Sequence, residues 1–125
     1  MTTQFVLLAA TFFGALAIIL GAFGAHALKK LFTPEQMQSF ETGVKYQMYH
    51  AIVLLVIGFQ LPFSTTLEQA MAWCFILGVI LFSFSIYGLC ISSAKGNKIK
   101  ILGPITPLGG LCLVTGWVLL LVNFI

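Results

Sequence analysis

Charge is what this chain has least of. Arginine and aspartate are absent, and six lysines and three glutamates make up 7% of the 125 residues. A soluble domain carries about a quarter charged residues because its surface faces water, so a water-exposed globule is excluded. Six lysines with no extended basic face cannot form a nucleic-acid footprint, and no nucleic-acid partner is expected. The three cysteines, Cys74, Cys90 and Cys112, fall at three depths with no CxxC. Neither zinc nor disulfide spacing is present, and in a membrane helix such residues act as small apolar side chains. GxSxG, HExxH and Walker patterns are missing too, as are paired carboxylates. No catalytic residue, metal or cofactor is assigned, and enzyme activity is not expected.

What the chain does have is apolar length, with 60% hydrophobic residues. Four segments are long enough for about 20-residue transmembrane helices: residues 5–25, 46–61, 70–91 and 101–125. The expectation is a single all-α domain over residues 1–125, an integral membrane four-helix bundle. Helices are required because an open sheet would leave backbone groups unpaired in lipid. The first apolar run ends in Ala25-His26-Ala27, which mimics a signal cleavage site. However, no lysine or arginine precedes it and Lys29-Lys30 follow it, the reverse of signal-peptide polarity. It is therefore expected to stay as a span. Lys29, Lys30 and Lys45 lie between spans one and two, and Lys95, Lys98 and Lys100 between spans three and four. The other side holds none, so the positive-inside rule predicts both termini outside the cytoplasm.

The first lysine loop has a helix signal of its own. Thr33-Pro34 reads as an N-cap with proline at the first helical position, and Gln36 completes a capping box. Met37, Phe40 and Val44 then recur at helical spacing. A short amphipathic helix near the headgroups is expected, open to continuing into span two; a solvated linker helix is the plainer alternative. Near the second lysine loop, Gly103-Pro104-Ile105-Thr106-Pro107 predicts a broken entry to span four, with Thr106 capping a helix that starts at Pro107. From Pro107 to Ile125 is 19 residues, about 28 Å of helix.

Small residues mark packing faces, because helix association in lipid rests on close approach. Ala10, Gly14, Ala17, Gly21 and Gly24 form one seam at 4-3-4-3 spacing; Gly78 lies in a second, and Gly109 and Gly116 in a third. Three seams predict a tight left-handed bundle, with one seam free for self-association. The polar residues that could carry chemistry are His26, Tyr46, Gln47 and His50, joined by Pro104, Thr106 and Pro107 at the broken helix start. Counted from Lys29 and Lys45, the two histidines differ in depth by only about 3 Å, both on the lysine side. Intramembrane ionisable residues default to a functional hypothesis, yet interhelical hydrogen bonding explains Gln47 and His50 equally well. Gln47 and His50 are expected to face the bundle interior beside Gly103–Pro107.

Three stretches carry a family resemblance: Gly21-Ala22-Phe23-Gly24-Ala25-His26-Ala27-Leu28-Lys29; Phe40-Glu41-Thr42-Gly43-Val44-Lys45-Tyr46-Gln47-Met48-Tyr49-His50-Ala51; and Gly103-Pro104-Ile105-Thr106-Pro107-Leu108-Gly109-Gly110, with Gly116-Trp117 beyond. Together they resemble the small membrane proteins called domain of unknown function 423, which include bacterial inner-membrane members and relatives of transmembrane protein 256. The resemblance implies a four-helix membrane protein and carries over no activity. It leaves two functional readings. One is a non-enzymatic binding or interaction module with a polar pocket in the cytoplasmic leaflet, its partners a membrane lipid, a small ligand or a second copy of the chain. The other is an oligomeric channel or small-solute transporter.

Overall fold

Residues 2–125 are described by a computed structural model. The first helix starts where Thr2 caps it, its side-chain oxygen accepting from the Phe5 N–H at 3.2 Å. Among the described residues the chain forms four long helices and no strand: α1 (Thr3–Leu28), α2 (Pro34–Gln60), α3 (Thr66–Ala94) and α4 (Leu102–Asn123). The predicted Thr33–Gln36 capping box is present in both directions, with Pro34 at the helix start. The helix it begins does not stop at the headgroups: amphipathic segment and span form one helix of 27 residues, about 40 Å long. A second capping box, Thr65 with Glu68, opens α3 four residues before the apolar run. There the Glu68 carboxylate takes the backbone N–H groups of Ser64 and Thr65.

The fourth helix corrects the sequence expectation. It starts at Leu102 and runs through Pro107 without a break. Pro104 sits in the first turn, where backbone N–H groups have no helical partner in any case. Pro107 removes one bond of the ladder, the one to the Gly103 carbonyl. Thr106 is therefore not a cap. Its hydroxyl contacts Ser85 Oγ at 2.6 Å and lies 3.3 Å from the Leu102 carbonyl.

By length and hydropathy α1, α3 and α4 can each cross a bilayer. Helix α2 is less apolar, but it lies antiparallel along α1. Thr3 Oγ1 donates to the Leu61 carbonyl at 3.4 Å at one end, and a side chain on Gly24 would meet Phe40 at 3.5 Å near the other. Where α1 crosses, α2 crosses beside it. Helix α4 packs antiparallel on α3 in the same way, and the two hairpins meet through α2 and α3. The bundle is thus up-down-up-down, with α3 the most buried span. Its core is two clusters: one around Val6, Leu54, Met71, Phe75 and Val79, and one around Phe40 and Tyr87 towards the lysine loops.

Two single π-helical turns interrupt the ladders, at Ile19–Gly24 in α1 and Ile80–Phe84 in α3. Such turns are rare and are found mostly as isolated bulges. Both flank the same point of α2. A side chain on Gly21 would meet Val44 at 3.2 Å, and Ser83 donates to the Gly43 carbonyl at 2.7 Å.

Candidate functional site

Polar groups in a lipid-embedded bundle must find partners within it, and here they converge on one stretch of α2, residues 43–50. Gln47 is fully buried; its amide nitrogen donates to the Phe13 carbonyl of α1 at 2.8 Å. Its Oε1 accepts from the Tyr87 hydroxyl of α3 at 2.6 Å. One turn earlier the Gly43 carbonyl takes the Ser83 hydroxyl. One turn later, His50 closes the set with α4: the Trp117 indole N–H donates to His50 Nε2 at 3.1 Å. His50 Nδ1 lies 2.7 Å from the Tyr46 carbonyl, which can only accept, so Nδ1 carries the proton. Nε2 is then the bare nitrogen that an indole donor requires. Every helix is pinned to α2 by at least one such bond, each worth about 0.6 kcal/mol on average and up to ~1.7 in membrane proteins.

This hub lies elsewhere than the sequence places it. Gln47 and His50 do face the interior, His50 with 4% exposure, but their partners are Phe13, Tyr87 and Trp117, not the Gly103–Pro107 segment. His50 is 16 residues from the start of α2 and 10 from its end, about 24 Å and 15 Å along the axis. It is therefore deep in the bundle and not at the lysine-bearing end. The misplacement comes from treating Lys45 as a membrane boundary; Lys45 is exposed well inside the helix, where its long stem can carry the ammonium towards the headgroups. Tyr46 is half-exposed and packs its ring on Phe82 at 5.1 Å. His26 is exposed beyond the π turn of α1 and belongs to no part of this network. Phe13, Ser83, Tyr87 and Trp117 are the members not among the candidate residues that the sequence singles out. A serine inside an apolar run was the only available signal for Ser83.

The small residues fall on two interfaces. Ala10 and Ala17 are buried, and side chains at Gly14, Gly21 and Gly24 would meet Ala51, Val44 and Phe40 of α2. Gly78, Gly109 and Gly116 lie between α3 and α4. A Cβ at Gly78 would come within 2.6 Å of Leu113, one at Gly116 within 2.8 Å of Phe75, and one at Gly109 would enter the Leu81–Phe82 backbone. Gly58, overlooked in the sequence, is as tight against Leu7 of α1 at 2.6 Å.

The open space is at the lysine-bearing end. A cavity of about 580 Å³ is walled by three helices, each presenting one face: Glu35, Gln36, Ser39 and Thr42 from α2; Ile86, Leu89, Cys90 and Ser93 from α3; Gly103, Thr106 and Pro107 from α4, with Lys98 from the loop. The α2 wall is polar and the α3 wall mostly apolar. Across the cavity's edge the Gln36 amide nitrogen donates to Ser93 Oγ at 3.4 Å and the Cys90 thiol to the Gln36 carbonyl at 3.4 Å. Thr106 and Pro107 are the predicted pocket residues that line it; Pro104, exposed, does not, and neither do His26, Tyr46, Gln47 or His50. A smaller cavity of about 360 Å³ lies between α1 and α2 at Gly21, Ala25, Phe40, Glu41, Val44 and Lys45.

Residues 20–110, which hold the cavity lining and the hub apart from Phe13 and Trp117, match the model of the family described as "Protein of unknown function (DUF423)". The chain belongs to this family. Among relatives in the family's range, the UPF0382 inner membrane protein YgdD of Escherichia coli is 34% identical over all of this chain and 92% of its own length. The UPF0382 membrane protein YwdK of Bacillus subtilis is 38% identical over 86% of this chain and 85% of its own. A UPF0382 membrane protein of Schizosaccharomyces pombe is 35% identical over 87% and 92%. No solved structure matches the chain. This member of DUF423 is an all-helical integral membrane protein, as its relatives' names and its own apolar helices agree.

Proposed function

We propose that the protein is a non-enzymatic binding module of the bacterial inner membrane whose lysine-side cavity holds a membrane amphiphile. One observation carries the reading: the cavity sets a polar face of α2 against an apolar face of α3 at the end of the bundle that bears the lysines. Its volume of about 580 Å³ lies within the range of about 300–1,000 Å³ typical of small-molecule sites. The positive-inside rule assigns that end to the cytoplasm, so the opening lies among cytoplasmic-leaflet headgroups. The polar hub is the scaffold that holds the walls, since its donors and acceptors are already used between helices. A solute path through one copy would have to part Val6, Leu54, Met71, Phe75 and Val79, each with no exposed surface. Binding is therefore favoured over transport.

The test is native mass spectrometry of the detergent-purified chain. Ser39 is exposed on the polar wall, so Ser39→Trp fills the cavity without entering the core. Wild type should carry a co-purifying lipid-sized species that Ser39→Trp lacks at unchanged thermal stability. Equal retention by the two proteins would refute the cavity as the site.

A further inference from the structure

Resting on that cavity reading, we infer that the bound species is a zwitterionic phospholipid headgroup with a primary ammonium, of the phosphoethanolamine type. Two formal charges face the cavity, the Glu35 carboxylate from α2 and the Lys98 ammonium from the loop, both exposed at its mouth. Their sum is zero. A purely anionic headgroup would gain Lys98 but lie against Glu35, and a purely cationic one would meet the reverse. A headgroup carrying both charges satisfies both. Lysine binds phosphate as a point charge on a flexible stem. A carboxylate with the Ser39 hydroxyl one turn further along α2 gives acceptors for ammonium N–H donors, which a trimethylammonium group lacks. Opposite them, Ile86, Leu89 and Pro107 form an apolar surface for the first acyl methylenes. That surface favours a lipid over a free soluble zwitterion, although both share the same headgroup chemistry.

The experiment uses the full chain in micelles doped with phosphatidylethanolamine, phosphatidylglycerol or phosphatidylcholine of identical acyl chains, with retained lipid read by native mass spectrometry. Exposed ion pairs are weak, so retention of phosphatidylethanolamine over the other two should be about threefold. Glu35→Gln should remove the preference over phosphatidylglycerol, while Lys98→Gln should weaken both lipids alike. Neither residue is buried, so unchanged melting of the variants is expected alongside. Equal retention of the three lipids by wild type, or a preference that survives Glu35→Gln, overturns the headgroup assignment. If Ser39→Trp still expels lipid in that case, the cavity reading stands without it; if Ser39→Trp retains lipid, the cavity reading falls as well. Soluble phosphoethanolamine supplies the last arm. Displacement of lipid only at large excess supports the lipid, and displacement at equal concentration makes the soluble zwitterion the ligand and overturns the lipid assignment.

Discussion

The indole N–H of Trp117 meets Nε2 of His50 at 3.1 Å, joining α4 to α2 across 67 residues of sequence. The Tyr46 carbonyl holds the proton on Nδ1, which leaves Nε2 bare to accept this bond. The ring is also packed against Phe75 and Trp117, with centroids 5.7 and 6.1 Å away. Trp117→Phe keeps most of the packing and removes the donor, at an expected cost of about 1 kcal/mol. His50→Ala should cost more because it also opens a cavity. In a double-mutant cycle followed by unfolding in mixed micelles, the double variant should lose less than the two single losses together. Strict additivity would show that the two residues do not communicate.

The glycines at the helix interfaces divide into ones that are required and ones that are only convenient. At Gly109 an added methyl enters the backbone of Leu81 and Phe82, where nothing can rotate aside. At Gly14 it reaches Ala51 at 3.9 Å, an ordinary contact. Gly109→Ala should destabilise by about 3 kcal/mol, the upper end of overpacking costs, whereas Gly14→Ala should leave the melting temperature within a degree or two or raise it slightly by stiffening the unfolded chain. Matching thermal melts for the two variants would contradict the register of α4 on α3.

The four helices were legible because lipid forces length and apolarity into the sequence, and the Thr33–Pro34–Gln36 cap was legible because capping is local. What hydropathy hides is where a helix begins. The apolar run of α3 starts near Ala70, but the helix starts at Thr66, under its Thr65–Glu68 box. The predicted break at Thr106 failed for a positional reason: Pro104 falls in a first turn that has no ladder to lose, and Pro107 removes only the bond to Gly103. The inward orientation of Gln47 and His50 followed from the cost of exposing them to acyl chains, but their partners did not. Phe13 contributes a backbone carbonyl, which no side-chain pattern advertises, and Trp117 stood out only as part of the family motif. The cavity was illegible for a different reason. Glu35, Ile86 and Pro107 share it only once the mutual rotation of three helices is fixed.

Tyr87 offers a test of the hub on its α3 side. Its hydroxyl is the donor to Gln47 Oε1 at 2.6 Å, and Gln47 is fully buried. Tyr87→Phe leaves that oxygen without a partner, at an expected cost of about 1–3 kcal/mol for an orphaned buried acceptor. Replacing Gln47 by Leu as well removes the orphan, so Gln47→Leu/Tyr87→Phe should recover part of the loss in the same micelle unfolding assay. A double variant weaker than Tyr87→Phe alone by the full cost of a second lesion would mean that the amide has other work to do.

The orientation of the bundle can be checked at its two ends. Five lysines lie in the two loops at one end and the sixth, Lys45, in the half of α2 nearest that end, and the termini and the Phe63–Gln69 loop at the other carry none. For loops this short, lysine placement governs which side is retained in the cytoplasm, so residue 97 should be inside and residue 2 outside. Asn97 follows Gly96, whose φ of +82° ends α3 in an exposed turn, and Thr2 is the exposed cap of α1. A cysteine at either site is therefore accessible from its own side. The native Cys74, Cys90 and Cys112 lie within the spans and are first replaced by alanine or serine. An impermeant maleimide applied to intact cells should then label Thr2→Cys and reach Asn97→Cys only after the membrane is opened. Labelling of Asn97→Cys in sealed cells with Thr2→Cys protected would invert the bundle and place the cavity in the outer leaflet. The proposed headgroup would then have to be drawn from the lipids of that leaflet.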